Sequence, residues 1–324
     1  MDLLPDDNVL NFLYTVNYNR EGYDMTVSVA EYLGQRTDVS EPQIEPRISY
    51  DGQQCPFMQG ECDKLRVGQK PICSVRKPDS TIWIVCKNRL CATKKTIPLS
   101  SYQRNVLLQV ANIIFNEDVS HSDILVKREE PMAVVGRSYY KADYIMMTRK
   151  PITGHPYRVV LEMQGGGETS NTGLLTKHVI TWESSQSPTN TLLRTPVEGI
   201  GTIETNAWRR QQEQFLVKGN IAMQTGGGIV FCVGALLYDY LWARVKNAGL
   251  PTLRNHNWTL ALICFAENTN STATAGAIPL SIDEGRVIFT SYMHFVHTLI
   301  SQGSPLPRIF CGSFEALSGD VIKI

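Results

Sequence analysis

Residues 157–167 read YRVVLEMQGGG, and this stretch decides the fold that the sequence predicts. An apolar, β-branched run ends in Glu162, Met163 and Gln164, and three glycines then follow. Because strand side chains alternate between the two faces of a sheet, Glu162 and Gln164 point the same way while Met163 points into the core. The pattern predicts a strand over 157–164 whose end carries a carboxylate and a carboxamide on one face.

A second carboxylate is predicted on the preceding strand, residues 139–147, which read YYKADYIMM. Asp143 is a charge inside apolar sequence, and the turn-rich segment PITGHP joins the two strands. Two acids on adjacent strands are costly to hold without a cation between them. A divalent cation with oxygen ligands would meet that need, and it would polarise a phosphoryl oxygen and activate a water. The alternative is a pair of strand-end charges that face solvent.

The rest of the chain alternates between helical and strand-like patterns. Helices are predicted at 8–17, 25–34, 206–224, 236–246 and 287–301, and another begins at Leu99 with Ser100 or Ser101 as its cap. Buried strands are predicted at 229–234 and 258–266, and a loop is expected from the glycines to about Ile203. These elements predict an α/β (α+β) fold in which a mixed β-sheet is flanked by helices. Two regions are predicted, residues 1–98 and residues 99–324.

Five of the eight cysteines fall between residues 55 and 91. The acidic N-terminus MDLLPDDNVL predicts no secretory signal, and cytosolic thiols stay reduced. Four thiolates satisfy a tetrahedral zinc or iron site, although the irregular gaps differ from those of a zinc ribbon. The predicted structural ligands are Cys55, Cys62, Cys73 and Cys86, with Cys91 as a spare or as a substitute for Cys86. The alternative is that some of them are core cysteines, and buried free thiols are predicted at Cys232, Cys264 and Cys311.

Net charge is zero, but the charges are unevenly distributed. Residues 1–63 carry 12 acidic and 3 basic side chains, whereas residues 64–104 carry ten basic side chains against Asp79 alone. This basic block would suit a polyanion such as DNA; a solvated face paired with the acidic segment is the alternative. The candidate DNA contacts are Lys64, Arg66, Arg76, Lys77, Lys87, Arg89, Lys94 and Lys95, joined by Arg194, Arg209 and Arg210 because arginine is the usual reader of guanine.

The composition excludes two classes of protein. A hydrophobic share of 43% with 19% charged residues is that of a globular chain and not of a disordered one. The longest apolar run, residues 229–237, is about half of a membrane span and is better explained by a buried strand. We therefore expect a cytoplasmic protein with no membrane partner.

Five sequence words in this order, CPFMQGEC, ICSV, VCKNR, KADYIM and VVLEMQ, make the chain resemble the NotI-type type II restriction endonucleases of the PD-(D/E)XK superfamily. The resemblance covers roughly residues 53–173. It implies a PD-(D/E)XK restriction-endonuclease-like core and a prokaryotic homodimer that cuts double-stranded DNA at a palindromic, often GC-rich site. A cognate DNA methyltransferase would be its companion in restriction-modification, without being a bound partner.

The resemblance also assigns roles to individual residues. Asp143 and Glu162 would bind Mg²⁺, Gln164 would position the attacking water, and the four cysteines would hold iron or zinc. A further acidic residue of the family, upstream of the aspartate, corresponds to Glu129 or Glu130. Gln164 stands where lysine is usual in the superfamily. Because a carboxamide carries no positive charge, the metal ion would have to do more of the activation.

Two other functions fit the same residues. A structure-specific nuclease of DNA repair or recombination would have the same fold and use the same acids. A non-enzymatic, metal-stabilised DNA-binding protein would need neither acid. The triple glycine also allows two interpretations, a flexible exit from the strand or a place where the backbone approaches DNA.

Overall fold

The computed structural model describes residues 25–46, 52–64, 69–115, 119–133, 139–270, 275–301 and 311–323. The predicted helix at 8–17 lies outside these residues, as does Arg66. In chain order the strands are β1 (Thr26–Tyr32), β2 (Gln35–Arg36), β3 (Ile72–Arg76), β4 (Ile82–Ile84), β5 (Ile124–Ala133), β6 (Tyr139–Thr148), β7 (Arg158–Gln164), β8 (Val197–Glu198), β9 (Gly228–Gly234), β10 (Leu260–Glu267), β11 (Leu280–Thr290), β12 (Ser313–Glu315) and β13 (Val321–Lys323). The helices are α1 (Lys87–Cys91), α2 (Ser101–Ile114), α3 (Thr172–Glu183), α4 (Asn190–Leu193), α5 (Glu204–Gln224), α6 (Ala235–Val245) and α7 (Tyr292–Ile300).

The larger sheet has six strands in the order β11–β10–β9–β7–β6–β5. β7, β9 and β10 run parallel to one another, whereas β5, β6 and β11 pair antiparallel with their neighbours. All residues of β9 are buried, as expected for a parallel strand covered on both faces. The strands predicted at 139–147, 157–164, 229–234 and 258–266 are confirmed as β6, β7, β9 and β10.

Helices cover both faces of this sheet. Alternate residues of β9 belong to two separate cores, Val230 to the core that contains α2 and Phe231 to the core that contains α5, α6 and α7. The predicted mixed sheet flanked by helices is therefore confirmed. Ser100 caps α2, because its hydroxyl accepts from the Gln103 amide while the Gln103 side chain accepts from the Ser100 amide. No helix in the described parts of the chain is both long and apolar enough to cross a bilayer.

A smaller sheet has the strand order β2–β1–β3–β4, with β8 paired to β1. The prediction of a helix at 25–34 is wrong, because these residues form β1 and the turn that leads into β2. The β-branched residues Thr26, Val27 and Val29 favour a pleated strand over a helix. The turn follows at once, with positive φ angles of 45° at Leu33 and 68° at Gly34.

The segment after the glycines also differs from its prediction. The expected loop to about residue 203 contains α3 and α4. Asn171 caps α3 by accepting from the Leu174 amide, and the helix buries Leu175, Val179 and Trp182, which are four and three residues apart. The helix predicted at 287–301 starts later than expected. Ser291 caps α7, and the residues before it complete β11.

The glycine run is where the small sheet packs against the end of β7. A Cβ atom on Gly166 would lie 2.6 Å from the backbone oxygen of Ile84, and one on Gly165 would lie 2.7 Å from the Ile84 side chain. The Trp83 indole donates to the Gly167 carbonyl at 2.9 Å. The glycines are therefore required by close packing between segments of the same chain. Neither a flexible exit from the strand nor an approach to DNA is needed to explain them.

A buried ion pair connects the small sheet to the rest of the chain at a second place. Arg89 of α1 and Glu31 of β1 lie 2.7 Å apart, with both side chains 1% exposed. Glu31 also accepts from the Ser74 hydroxyl (2.6 Å) and from the Ile278 amide (2.8 Å). Arg89 donates to the Tyr102 hydroxyl at 2.7 Å. This pair links the small sheet to α2 and to the segment that precedes β11.

Candidate active site and cysteine cluster

The candidate site lies where β6 and β7 stop pairing. Their ladder runs from Met147 and Arg158 as far as Tyr144 and Leu161. Beyond that point side chains replace the backbone ladder. The Asp143 carboxylate accepts from the backbone amide of residue 163 at 2.8 Å, and the Asp143 amide donates to a Glu162 carboxylate oxygen at 3.3 Å. The two acids that the sequence predicts are thus brought side by side at the end of the paired region.

A lysine that sequence reasoning missed completes this group. Lys218 of α5 places Nζ 2.6 Å from Glu162 Oε2, and the two side chains are 1% and 6% exposed. The signal was available in the sequence, because Lys218 is a lone charge in the stretch FLVKGNIAM. The same feature identified Asp143. The contact of Lys218 with Glu162 could not be predicted, because nothing in the sequence reveals which strand a helix covers.

Burial is the main cause that raises the pKa of Glu162 to about 8, with the Asp143 charge acting in the same direction and Lys218 opposing both. Burial also raises the pKa of Asp143, against the Met163 amide and Lys218. Such shifts arise where carboxylates are withdrawn from water beside one another. A divalent cation would reverse them, so the donor set fits an oxygen-ligated metal ion in kind and in electrostatics.

Glu129, and not Glu130, is the upstream acid that faces the site. A negative charge on Glu129 contributes to the raised pKa of Asp143, after burial. The register of β5 against β6 is continuous, with Arg128 opposite Tyr144 and Glu130 opposite Ala142, so Glu129 lies opposite Asp143. Glu129 has a φ of 47°, and strained backbone of this kind is often found at functional sites. Glu130 instead pairs with Lys127 at 3.8 Å on the exposed surface.

Gln164 is oriented by two hydrogen bonds. Its oxygen accepts from the Gln211 amide group at 2.8 Å, and its own amide group donates to the Gly166 carbonyl. Gln211 precedes Lys218 by seven residues, so both lie on one face of α5. Sequence reasoning did not identify Gln211. Among the described residues, Gln164 forms no hydrogen bond with Asp143 or Glu162, and its side chain lines the adjoining cleft.

That cleft has a volume of about 860 Å³ and separates the small sheet from α3 and α5. Three residues predicted as DNA contacts line it, namely Lys64, Lys87 and Arg210. Lys87 is 79% exposed and Arg210 is 62% exposed, each with an acidic neighbour, Asp63 at 3.4 Å and Glu168 at 2.9 Å. Lys64 donates to two backbone carbonyls. The cleft thus brings Gln164 together with exposed cations, whereas Asp143, Glu162 and Lys218 do not line it.

The remaining basic residues are dispersed. Arg89 is fully buried and paired with Glu31, which removes it from the DNA-contacting set. Lys94 and Lys95 are exposed in a loop whose residue 95 amide donates to Glu129 at 3.3 Å. Elsewhere on the chain, Arg76 forms an ion pair with Glu267, and Lys77 forms one with Asp79. Arg194 lines a separate cavity, and Arg209 is exposed on α5.

The four predicted cysteine ligands gather in one cluster. Cys55, Cys73 and Cys86 are buried together with Phe57, Met58 and Ala92, and Cys62 packs against them. Cys91 belongs to the other core, where its sulfur lies 3.3 Å from the Tyr144 hydroxyl. Among the outlying cysteines, Cys232 and Cys264 are buried as predicted, whereas Cys311 is exposed, which corrects its prediction.

The chemistry of this cluster fits a soft metal ion. Burial raises the pKa of Cys55 to about 11 and raises those of Cys62 and Cys73, and a charge on Cys86 raises all three further. Deprotonation therefore requires a cation beside the sulfurs. Backbone amides at Phe57 and Lys64 favour the thiolates of Cys55 and Cys62. In the described part of the chain, no three His, Cys, Asp or Glu side chains form a ready-made metal site.

Comparison of the sequence with protein-family models and with curated proteins gave no match. Function must therefore be inferred from the acids, the lysine, the cleft and the cysteine cluster themselves.

Proposed function

We propose that this protein is a type II restriction endonuclease that hydrolyses phosphodiester bonds of double-stranded DNA with Mg²⁺. The observation that carries the proposal is the juxtaposition of Asp143 and Glu162 where β6 and β7 stop pairing. Two adjacent acids on central strands of a mixed sheet flanked by helices agree with a PD-(D/E)XK core. Burial raises the pKa of both acids, and the Asp143 charge adds to the shift of Glu162; perturbed pKa values of this kind are common at functional sites.

Asp143 and Glu162 would hold the ion, and Glu129, which lies opposite Asp143 on β5, would add a negative charge beside them. Bound Mg²⁺ would supply Lewis-acid stabilisation of the phosphate and a water of lowered pKa. Gln164, held by Gln211, would orient that water as a hydrogen-bond partner. The water oxygen adds to phosphorus, the bond to the 3′ oxygen breaks, and the products are a 5′-phosphate and a 3′-hydroxyl.

The cleft and its cations support a DNA partner. Lys87 and Arg210 are exposed at the cleft and hold only solvent-accessible acidic partners, so DNA phosphates can replace those partners at little cost. Lys94 and Lys95 offer two further charges beside Glu129. A homodimer would place two such sites on the two strands of a palindrome. A methyltransferase of the same specificity would protect the host genome.

The cysteine cluster would hold iron or zinc as a structural centre. Cys73 lies in β3 and Cys86 lies two residues after β4, so a four-sulfur metal would cross-link the small sheet that borders the cleft. Because four thiolates leave no open coordination position, such a centre would have no catalytic role. Its contribution would be to folding, on the order of 10 kcal/mol.

The decisive experiment incubates purified protein with phage DNA and Mg²⁺ and sequences the ends. We expect discrete fragments with one recurring end sequence. Cleavage without recurring ends would favour a structure-specific nuclease, and binding without cleavage would favour a DNA-binding protein. Glu162→Ala should bind DNA like the parent yet lose cleavage, since the ion loses a ligand. Glu130→Gln, on the surface, is the matched control and should cut normally. Cleavage by the Glu162 variant would refute the assignment.

A further inference from the structure

Lys218 is a cation built into a site that otherwise gathers negative charge. It is 1% exposed, and its ammonium contacts Glu162 Oε2 while Glu162 Oε1 accepts from the Asp143 amide. Both oxygens of Glu162 are therefore engaged. The Lys218 charge also lowers the pKa of Asp143, which burial raises. A buried ammonium is expensive to desolvate, so its presence here calls for an explanation.

Packing prevents this lysine from withdrawing to water. Its neighbour Gly219 lies against the Tyr292 ring, which a Cβ on Gly219 would meet at 2.2 Å. The Tyr292 hydroxyl donates to the Leu216 carbonyl at 2.6 Å. Phe215, one turn earlier on α5, packs into an aromatic cluster with Phe231. This part of α5 is thus fixed on both sides of Lys218, and the ammonium is held beside Glu162.

We propose that Lys218 is a positioning residue that fixes the Glu162 carboxylate for metal binding and lowers the negative charge of the site, so that the site takes one divalent cation at moderate affinity. This inference rests on the proposed function, because it assigns the divalent ion to Asp143 and Glu162. Lys218 neutralises one of the carboxylates and repels the incoming ion. Because Gln164 carries no charge, it cannot neutralise a carboxylate, and Lys218 of α5 supplies the positive charge instead.

The test measures Ca²⁺ binding by isothermal titration calorimetry, with Ca²⁺ as a probe of oxygen-ligand sites. Replacing Lys218 by methionine removes one positive charge near the ion. The expected result is Ca²⁺ affinity at least about tenfold higher than in the parent, since charge interactions in partly buried sites are of this size or larger. Turnover with Mg²⁺ should fall, because Glu162 loses the contact that orients it.

Lys70→Met is the matched control. Lys70, which lines the cleft, and Glu183 of α3 form another buried ion pair, with side chains 5% and 7% exposed. That variant also frees a buried carboxylate, but one without a second acid in contact, so its Ca²⁺ affinity should equal that of the parent. If Lys218→Met does not fold, the comparison is made between Glu162→Gln and the double variant E162Q/K218M, in which no carboxylate is left unpaired.

Unchanged or weaker Ca²⁺ binding in Lys218→Met, or no measurable binding in either protein, would overturn the proposal. A tenfold gain shared by Lys70→Met would overturn it as well, because the effect would then be general to buried lysines. Failure of the nuclease function is distinguishable: Ca²⁺ binding that tightens on loss of Lys218, without Mg²⁺-dependent DNA cleavage by the parent, would retain the role of Lys218 and refute only the endonuclease.

Discussion

Replacement of Arg89 by methionine tests whether the buried pair with Glu31 joins the two sheets. The substitution preserves most of the side-chain volume but removes the charge. It leaves a carboxylate that is 1% exposed without its ionic partner, although Ser74 and Ile278 still donate to it. Loss of one member of a buried pair typically costs about 3–5 kcal/mol, a large share of the roughly 5–15 kcal/mol by which a protein is stable.

The magnitude can be separated from the loss of packing. Glu31→Gln alone leaves the guanidinium buried without a counter-charge and should cost a similar amount. The double variant E31Q/R89M removes both charges and keeps an oxygen that accepts from Ile278. We therefore expect it to be more stable than either single variant by about 2 kcal/mol. Arg286→Met serves as a surface control, because its pairs with Asp239 and Asp283 are partly exposed and should be worth under about 1 kcal/mol.

The assay is thermal unfolding followed by circular dichroism at low and at high salt. For a chain of this size a loss of 3–5 kcal/mol corresponds to a decrease in Tm of about 4–7 °C. Salt should not reduce the difference, because buried charges are screened much less than exposed ones. A Tm within 2 °C of the parent for Arg89→Met, or a double variant no better than the singles, would refute the reasoning.

Two further predictions follow from packing. We expect elemental analysis of the purified protein to find iron or zinc, and Cys86→Ser should abolish this metal content. Cys91→Ser should leave the metal content unchanged, because Cys91 lies against Tyr144. Equal loss of metal in both variants would contradict the ligand set. Gly166→Ala should lower the free energy of unfolding by about 1–3 kcal/mol, because the added methyl group would lie 2.6 Å from a backbone oxygen of Ile84. Gly173→Ala, with its nearest neighbour at 3.7 Å, is the control, and similar urea unfolding curves for the two would exclude a clash.

The sequence predicts the four inner strands of the larger sheet, β6, β7, β9 and β10, because they are largely apolar, but it did not predict β5 and assigned part of β11 to a helix. β9 and β10 are continuous runs such as GIVFCVG, and buried parallel strands have this pattern. The prediction for β1 was wrong because TVSVAEY, which is as long as β9, is interrupted by polar residues such as Glu31. Its apolar residues therefore match a helical period as well as a strand. Only pairing with β3 and β8 decides between the two.

The acids of the site could be predicted, but their partners could not. Asp143 and Glu162 are charges inside strand patterns, and adjacency of the two strands follows from a short connection. Lys218 and Gln211 reach the site from a helix about 50 residues later, and their position depends on how α5 crosses β7. Glu129 lies opposite Asp143 because of the register between β5 and β6, and the strand β5 was not predicted from the sequence. The dispersal of the basic block could not be predicted for the same reason. Arg89, for example, is buried because tertiary packing places it beside Glu31.

The glycine run links the cysteine cluster to the acids. Gly165 and Gly166 directly follow β7, and Ile84 of β4 occupies the space that their side chains would need. Cys86 comes two residues after Ile84 in the sequence. The Gly165 carbonyl also accepts from the Gly234 amide at 2.9 Å, which holds the exit of β7 against β9. A displacement of β4 would therefore reach Gln164 and Glu162 through close backbone contact. A structural metal on the cysteines would thus stabilise the geometry of the acids as well as the wall of the cleft.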